Sequence, residues 1–148
     1  MKYDKVIFTC MDNTCRSIMA EAVMNSVNKK SIIEVDSKGV VVLFSEPINP
    51  KCIAILKNHG LMPIKESSCE LTLRDLDPGT LVLTMTTKEK NLAIKKFPNY
   101  SEIYTIGEYI GQASEIEEPR SGELTEYGAC YEYIDFAVKM AAEKLFNQ

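Results

Sequence analysis

The sequence predicts an α/β fold in which a parallel β-sheet is covered by helices on both faces. Short apolar segments typical of strands alternate along the 148 residues with segments of helical period. The last of these has a 3.6-residue apolar period, typical of an amphipathic helix, at Tyr127, Cys130, Tyr131, Ile134, Val138, Ala141 and Leu145. Since no linker, repeat or low-complexity stretch interrupts the alternation, a single domain over residues 1–148 is expected.

The first half of the chain is predicted to contribute two strands and two helices. An apolar run at residues 6–8 is followed, after a loop, by a helix whose apolar residues recur every four positions. Residues 32–35 are predicted as the second strand. Asn49 and Pro50 begin a helix that Gly60 ends, because proline costs no hydrogen bond at the first helical position and glycine is favoured just after the last.

The second half is predicted to supply two further strands, at residues 81–85 and 103–106. Two stretches have the spacing of a capping box, in which a Ser or Thr is followed three residues later by Glu. The stretch at 67–70 predicts a short helix over residues 71–75. The stretch at 86–89 predicts a longer helix before the fourth strand.

Composition limits the functions that the chain can have. A formal net charge of -4 and a sequence pI near 5.1 argue against a general binder of nucleic acid or of an anionic membrane. No apolar run approaches the roughly 20 residues that cross a bilayer, and the first residues lack a signal-peptide pattern. Five cysteines in such a chain indicate free thiols and a cytoplasmic protein. Cys10 and Cys15 alone do not complete a zinc site, so no metal or other cofactor is expected.

The stretch from Cys10 to Ser17 is the strongest functional signal, because it connects a strand end to a helix start. Doubly wound folds bind ligands there, and a helix N-terminus presents unpaired N–H groups to an anion. Arg16 would bind two phosphate oxygens with its planar guanidinium. The same field is expected to lower the pKa of Cys10 and favour its thiolate. Cys10 is therefore the candidate nucleophile, and the intermediate would be a cysteinyl phosphate.

This loop resembles that of the low-molecular-weight protein tyrosine phosphatases, which reads Cys-x-Gly-Asn-x-Cys-Arg-Ser and is usually followed by Pro-Met-Ala-Glu. The residues that agree are Cys10, Asn13, Cys15, Arg16, Ser17, Met19, Ala20 and Glu21. The resemblance covers essentially the whole chain and implies a four-stranded sheet with the strand order 2-1-3-4. It also implies a protein phosphatase that acts on a phosphorylated protein and holds phosphate or a similar oxyanion in the loop. The further loop residues that would contact the substrate are Met11, Asp12, Asn13, Thr14, Cys15 and Ser17.

Three positions bear on how well the loop would hold phosphate. Ser37 matches a serine that supports the loop in the family. Asp12 replaces the loop glycine, and its carboxylate would oppose substrate and thiolate if it pointed inward but would be harmless if it pointed outward. Glu66 stands where tyrosine phosphatases of the family usually carry a histidine that braces the loop, so this brace is expected to be altered or lost.

The general acid of the family is an aspartate in an Asp-Pro-aromatic loop before the last helix, and the matching segment here begins at Glu118. Glu118 is thus expected to protonate the leaving group and then to activate water, although its extra methylene changes the reach of the carboxylate. Glu117 is the alternative and Glu115 a weaker one. Arg120 takes the position of an aromatic residue that commonly lines the substrate groove, and it places positive charge there.

The choice of substrate depends on Thr14. Tyrosine phosphatases of the family usually carry an aliphatic residue there, whereas its protein-arginine phosphatases carry threonine. The hydroxyl can orient water or bind a guanidinium, which favours phosphoarginine. Threonine can equally be a β-branched stand-in for isoleucine, and the charge of Arg120 opposes a cationic substrate, so phosphotyrosine stays open.

Two other functions also stay open at this stage. The substitutions at Asp12, Glu66 and Glu118 would suit a phosphate- or phosphoprotein-binding module that has lost turnover. An arsenate reductase shares such a loop but needs further thiols in relay, and Cys69 is the only candidate for one.

Overall fold

The computed structural model describes residues 2–148, and within that range the chain forms an α/β structure around one parallel sheet. Its strands are β1 (Lys5–Cys10), β2 (Glu34–Gly39), β3 (Thr80–Thr84) and β4 (Ile103–Thr105). Neighbouring strands run parallel, in the order β2-β1-β3-β4. The α/β class predicted from the sequence and the strand order implied by the resemblance are both confirmed.

Helices cover the sheet on both faces. They are α1 (Arg16–Val27), α2 (Pro50–Asn58), α3 (Thr87–Lys96), α4 (Ile106–Ile110) and α5 (Leu124–Phe146). The larger buried cluster packs α1, α2 and α5 on one face, and a smaller one packs α3 on the other. Within residues 2–148, no helix is long and apolar enough to cross a membrane.

The strand β1 shows why two cores are needed. Val6 and Phe8 belong to the larger cluster and Ile7 to the smaller one, because successive side chains of a strand point to opposite faces. All three are fully buried. Burial on both faces is typical of a parallel sheet, so the apolar run in the sequence was a reliable sign of a central strand.

The second strand is displaced from its predicted position. It begins at Glu34 instead of Ile32 and continues to Gly39. Pairing with β1 sets this start, since Glu34 lies opposite Lys5, the first residue of β1. Ile32 is left outside the sheet and is exposed. The apolar pattern therefore placed the strand two residues too early.

The short helix expected over residues 71–75 is a single 3-10 turn, Leu73–Asp75, capped by Thr72. The capping box expected at residues 67–70 is not formed. Ser67, the expected cap, instead pairs with Pro47 in an isolated antiparallel bridge. A partner that is distant in sequence has here replaced the local one.

The helices α3 and α4 both begin at capping boxes. Thr86 and Glu89 cap α3, as the sequence predicted. Thr105 and Glu108 cap α4 in the same way. Each box satisfies backbone N–H groups that the first helical turn leaves without partners.

Gly39, the last residue of β2, allows the loop after β1 to pack against the sheet. A Cβ at this position would lie 2.9 Å from the main-chain carbonyl carbon of Asp12 and 3.0 Å from the amide nitrogen of Asn13. Glycine is the one residue that allows two backbones to approach so closely. Any larger residue would push the loop away from β2.

Candidate active site

The loop expected to hold phosphate joins the end of β1 directly to the start of α1. Cys10 is the last residue of the strand and Arg16 the first of the helix, so regular elements fix both ends of the loop. The carbonyl of Cys10 accepts a hydrogen bond from the Val40 amide at 3.0 Å, which ties the loop to the segment after β2. Asn13 has a φ of 60°, a left-handed conformation that asparagine adopts more readily than most residues.

The buried side chain of Asn13 connects several parts of the site. Its Nδ2 donates to Ser17 Oγ at 2.7 Å and to Ser37 Oγ at 3.1 Å, while its Oδ1 accepts from the Cys69 amide at 2.9 Å. Ser37 in turn donates to Glu21 Oε1 at 2.6 Å. Asn13 thus joins Ser17 at the start of α1 to Ser37 in β2. Since these bonds are buried, they hold the loop in one shape.

A lysine that the sequence argument missed lies beside this network. Lys65 donates to the carboxylate of Asp36 at 2.9 Å, and to the carbonyl of Ser37. Burial raises the pKa of Glu21, while its hydrogen bond from Ser37 and the charge of Lys65 act in the opposite direction. Glu66, which takes the position of the bracing histidine, has an exposed side chain. The positive charge beside the network is instead that of Lys65, the residue before it.

Cys10 lies at the base of the loop and only 1% of it is exposed. Its Sγ is 3.0 Å from Ser17 Oγ. Burial raises the pKa of the thiol, and the charge of Arg16 together with the hydrogen bond from Ser17 offsets only part of that rise. Burial therefore acts against the lowered pKa expected from the loop sequence, because the sequence does not reveal how deeply the sulfur is buried.

Arg16 is also buried, with 5% of its surface exposed, and it has a carboxylate partner. Its Nη2 donates to Glu89 Oε2 at 2.5 Å, and its Nη1 donates to Glu89 Oε1 at 3.3 Å and to the carbonyl of Ile116 at 2.9 Å. Burial alone would lower the pKa of Arg16, but the negative charges of Cys10 and Glu89 outweigh it and raise the pKa. The guanidinium is therefore a permanent cation held by two distant segments.

Asp12 turns its carboxylate toward Thr14. Its Oδ1 accepts hydrogen bonds from the Thr14 amide at 3.1 Å and from the Thr14 hydroxyl at 2.9 Å. This is the local turn that aspartate commonly forms with the residue two positions later. The Thr14 amide, one of the loop N–H groups expected to bind an anion, thus already donates to the carboxylate of Asp12.

Cys15 lies against α2. Its carbonyl accepts a hydrogen bond from Cys52 Sγ at 3.6 Å, and both thiols are buried. Hydrogen bonding with Cys52 and burial together raise the pKa of Cys15. All five cysteines lie in the described part of the chain, and all are free.

A small hollow of about 170 Å³ opens beside the loop. Its walls are formed by Met11, Arg16, Thr86, Lys88, Glu89, Glu117, Glu118 and Arg120. Pockets that take drug-sized ligands have volumes of about 300–1,000 Å³, so this one suits a small group such as phosphate. Glu118, Glu117 and Arg120, which are remote from the loop in sequence, are thus brought to Arg16.

The segment that carries Glu118 is attached through its neighbours. Ile116 is buried, and its amide donates to the carbonyl of Met85 at 3.0 Å. The carboxylate of Glu115 accepts from the amide of Thr87 at 3.0 Å and from its hydroxyl at 2.5 Å. Glu115 therefore caps the start of α3 and does not line the hollow, whereas Glu118 is exposed and does.

The sequence did not point to four residues that lie at the site: Thr86, Lys88 and Glu89, which line the hollow, and Lys65, which lies beside the Asn13 network. Glu89 carried a signal, since it was recognised as the acid of a capping box, but nothing in that spacing pointed to Arg16. Lys65 carried none. For metals, residues 2–148 contain no group of three or more His, Cys, Asp or Glu side chains placed to hold an ion.

A strand, an anion-binding loop and a helix, with cysteine and arginine at the two ends of the loop, define a class of cysteine-containing phosphate-binding α/β proteins. The family of low molecular weight phosphotyrosine protein phosphatases matches residues 5–148. The chain therefore belongs to that family.

Named relatives fall into two groups. PtpB of Staphylococcus epidermidis, a low molecular weight protein-tyrosine-phosphatase, is 30% identical over 127 residues, which are 86% of this chain and 88% of that protein. The structure of the YwlE arginine phosphatase from Geobacillus stearothermophilus has a TM-score of 0.88 at 28% identity and covers 97% of this chain and 93% of that one. A cysteine-to-serine mutant of YwlE arginine phosphatase with a phosphorylated active-site serine has a TM-score of 0.87 at 26% identity, covering 95% of each chain.

Proposed function

We propose that this phosphatase hydrolyses phosphorylated side chains of proteins through a phosphate ester of Cys10. The observation that carries the proposal is the position of Cys10 and Arg16 at the two ends of one loop, with Glu118 and Arg16 both lining a phosphate-sized hollow beside it. A relative with a phosphorylated serine in its active site supports the covalent route. Glu118 is the general acid and base, with Glu117 as the alternative.

The reaction would proceed in two displacements. The Cys10 thiolate attacks phosphorus, and the bond to the leaving oxygen or nitrogen breaks as that atom takes a proton from Glu118. The Glu118 carboxylate then removes a proton from water, which attacks the phosphocysteine and releases inorganic phosphate and the thiolate. Because Cys10 is 1% exposed, the side chains around the hollow must move when the phosphoryl group enters.

The hydrogen bond between Thr14 and Asp12 supports phosphoarginine as the preferred substrate. Since the Thr14 hydroxyl donates its proton to Asp12, its oxygen keeps lone pairs that can accept from a guanidinium N–H. The carboxylate of Glu117 also favours a cationic leaving group, and Arg120 opposes it. The relatives include a protein-tyrosine-phosphatase as well as an arginine phosphatase, so phosphotyrosine is the second candidate substrate.

The test is a comparison of three substrates: an aryl phosphate, a phosphotyrosine peptide and a phosphoarginine peptide of matched sequence. We expect turnover of all three, with the highest kcat/KM on phosphoarginine. Cys10→Ser should abolish turnover, on the order of 10⁶-fold as for other removed nucleophiles, but should still bind phosphate in calorimetry. Thr14→Ile should shift the ratio of kcat/KM values toward the aryl esters.

The outcomes separate the alternatives. Unchanged ratios in Thr14→Ile would remove the case for phosphoarginine. A wild-type protein that binds phosphate but turns over none of the three would be a phosphate- or phosphoprotein-binding module.

We further propose one phosphatase domain over residues 1–148 and a cytoplasmic location. The family match over residues 5–148 supports the first, and the free cysteines suit a reducing compartment.

A further inference from the structure

Glu89 has two roles in the structure, and only one of them belongs to helix α3. Its Oε1 accepts from the Thr86 amide at 3.1 Å, which completes the capping box. Its Oε2 accepts from Arg16 at 2.5 Å. One carboxylate oxygen is enough for a cap, so the second is available to the loop. With 2% of Glu89 and 5% of Arg16 exposed, this ion pair is almost completely buried.

The contacts of Arg16 decide which of its hydrogens remain for a ligand. A guanidinium has five N–H donors in one plane. Both hydrogens of Nη1 are used, by Glu89 and by the carbonyl of Ile116, and one hydrogen of Nη2 is used by Glu89. The two that remain are Nε–H and the second hydrogen of Nη2. These two donors are parallel and lie on one edge of the guanidinium, which matches two phosphate oxygens.

We propose that Glu89 is a positioning residue that holds the far edge of the Arg16 guanidinium so that the Nε–Nη2 edge is presented to the phosphoryl group. The inference rests on the proposed phosphatase function. Both Arg16 and Glu89 line the hollow, so the ion pair lies beside the space that a phosphoryl group would enter. Without this contact the guanidinium can rotate, and a displacement of about 1 Å at a reacting centre can cost about 100-fold in rate.

This arrangement has an electrostatic cost that a simple structural role would not predict. The charge of Glu89 raises the pKa of Cys10, opposite to the effect of Arg16. Removing the charge should therefore make Cys10 easier to ionise while it makes the enzyme slower. Easier ionisation of Cys10 and slower turnover are measured separately, so the electrostatic effect of Glu89 can be distinguished from its effect on the position of Arg16.

The experiment compares Glu89→Gln with Glu108→Gln, which removes the matching acid from the capping box of α4, outside the site. For Glu89→Gln we expect kcat/KM on an aryl phosphate to fall about 10- to 100-fold and the dissociation constant of inorganic phosphate to rise severalfold. The pKa that governs alkylation of Cys10 by iodoacetate, followed by mass spectrometry, should fall. Glu108→Gln should change none of the three quantities.

Several results would overturn the inference. Unchanged or increased kcat/KM in Glu89→Gln would mean that Glu89 does not position Arg16 or competes with phosphate for it. A loss of kcat/KM with an unchanged alkylation pKa would indicate a purely structural residue. If Glu89→Gln does not fold, Glu89→Asp replaces it. Its shorter side chain should lower kcat/KM, while its retained charge should leave the pKa for alkylation of Cys10 unchanged. A wild-type kcat/KM in Glu89→Asp would also contradict the inference.

Phosphate binding and alkylation do not require turnover. If the wild-type protein turned over no substrate, the proposed function would fail, and these two measurements would still decide whether Glu89 positions Arg16.

Discussion

The loop from Cys10 to Ser17 and the segment from Glu115 to Arg120 meet at the same hollow, but different forces hold them. The loop is fixed by buried hydrogen bonds around Asn13 and by a buried ion pair at Arg16. The segment is exposed except at Ile116 and Pro119, and the ion pair between Glu117 and Arg120 is 4.0 Å long and open to solvent. Such surface pairs contribute about 0–1 kcal/mol.

This difference separates two kinds of mutational effect. Loss of a buried hydrogen-bonding side chain of the loop, such as that of Asn13, disturbs several partners at once, so it should alter folding, phosphate binding and turnover together. A change at an exposed carboxylate of the segment should alter turnover alone. The three predictions below test that separation, in order of expected effect.

Glu118→Gln should lower kcat about 100-fold or more, the low end of the contribution of a general acid, because the amide cannot donate the proton of a carboxyl group. The free energy of unfolding should change by less than about 0.5 kcal/mol, since the side chain is exposed. Steady-state kinetics and urea unfolding provide the two numbers.

Glu117→Gln is the matched control for that variant, and its kcat should stay within about threefold of wild type, far below the contribution of a general acid. If the control lost activity and Glu118→Gln did not, the acid would be Glu117. A large loss of stability in either variant would contradict the contrast between loop and segment.

Ile116→Ala should lower kcat about 10-fold, because the buried side chain fixes the segment and its loss lets Glu118 move away from its productive position. The unfolding free energy should fall by about 2–4 kcal/mol, typical of a large-to-small change in a core. Ile134→Ala, in the same buried cluster but on α5, should cost similar stability and leave kcat unchanged. Equal losses of kcat in both variants would show that general destabilisation is responsible.

Asp12→Asn should tighten phosphate binding by up to about fivefold, since it removes one negative charge from the loop while the amide oxygen can still accept from Thr14. Calorimetry at low ionic strength is the suitable measurement, because salt screens the effect. Asp135→Asn on α5 provides the control for a charge change far from the loop. If Asp12→Asn bound phosphate more weakly, the charge would be needed to hold the loop and would not oppose the anion.

The sequence was informative wherever the interacting residues are close along the chain. The loop between β1 and α1, the start of α2 at Pro50 and the cap of α3 depend on spacings of a few residues, and the structure has all three. The start of β2 was missed because pairing with Lys5, far away in sequence, determines it.

The same limit applies to the site. Arg16 and Glu89 are 73 positions apart, so no local pattern could join them. The direction in which the pKa of Cys10 shifts depends on burial of its thiol, which arises only after the helices pack over the sheet. Sequence alone could name the chemical groups, but their ionisation depends on tertiary structure.

The hydrogen bond between Arg16 and Ile116 has a consequence for how this protein can evolve. Its acceptor is a main-chain carbonyl, so substitutions at the exposed neighbours of Ile116 leave that oxygen in place. The acid-bearing segment can therefore exchange its neighbouring side chains, and with them its preference for a leaving group, without detaching from the arginine. Substrate range can drift in such a protein while the contact that locates the segment persists.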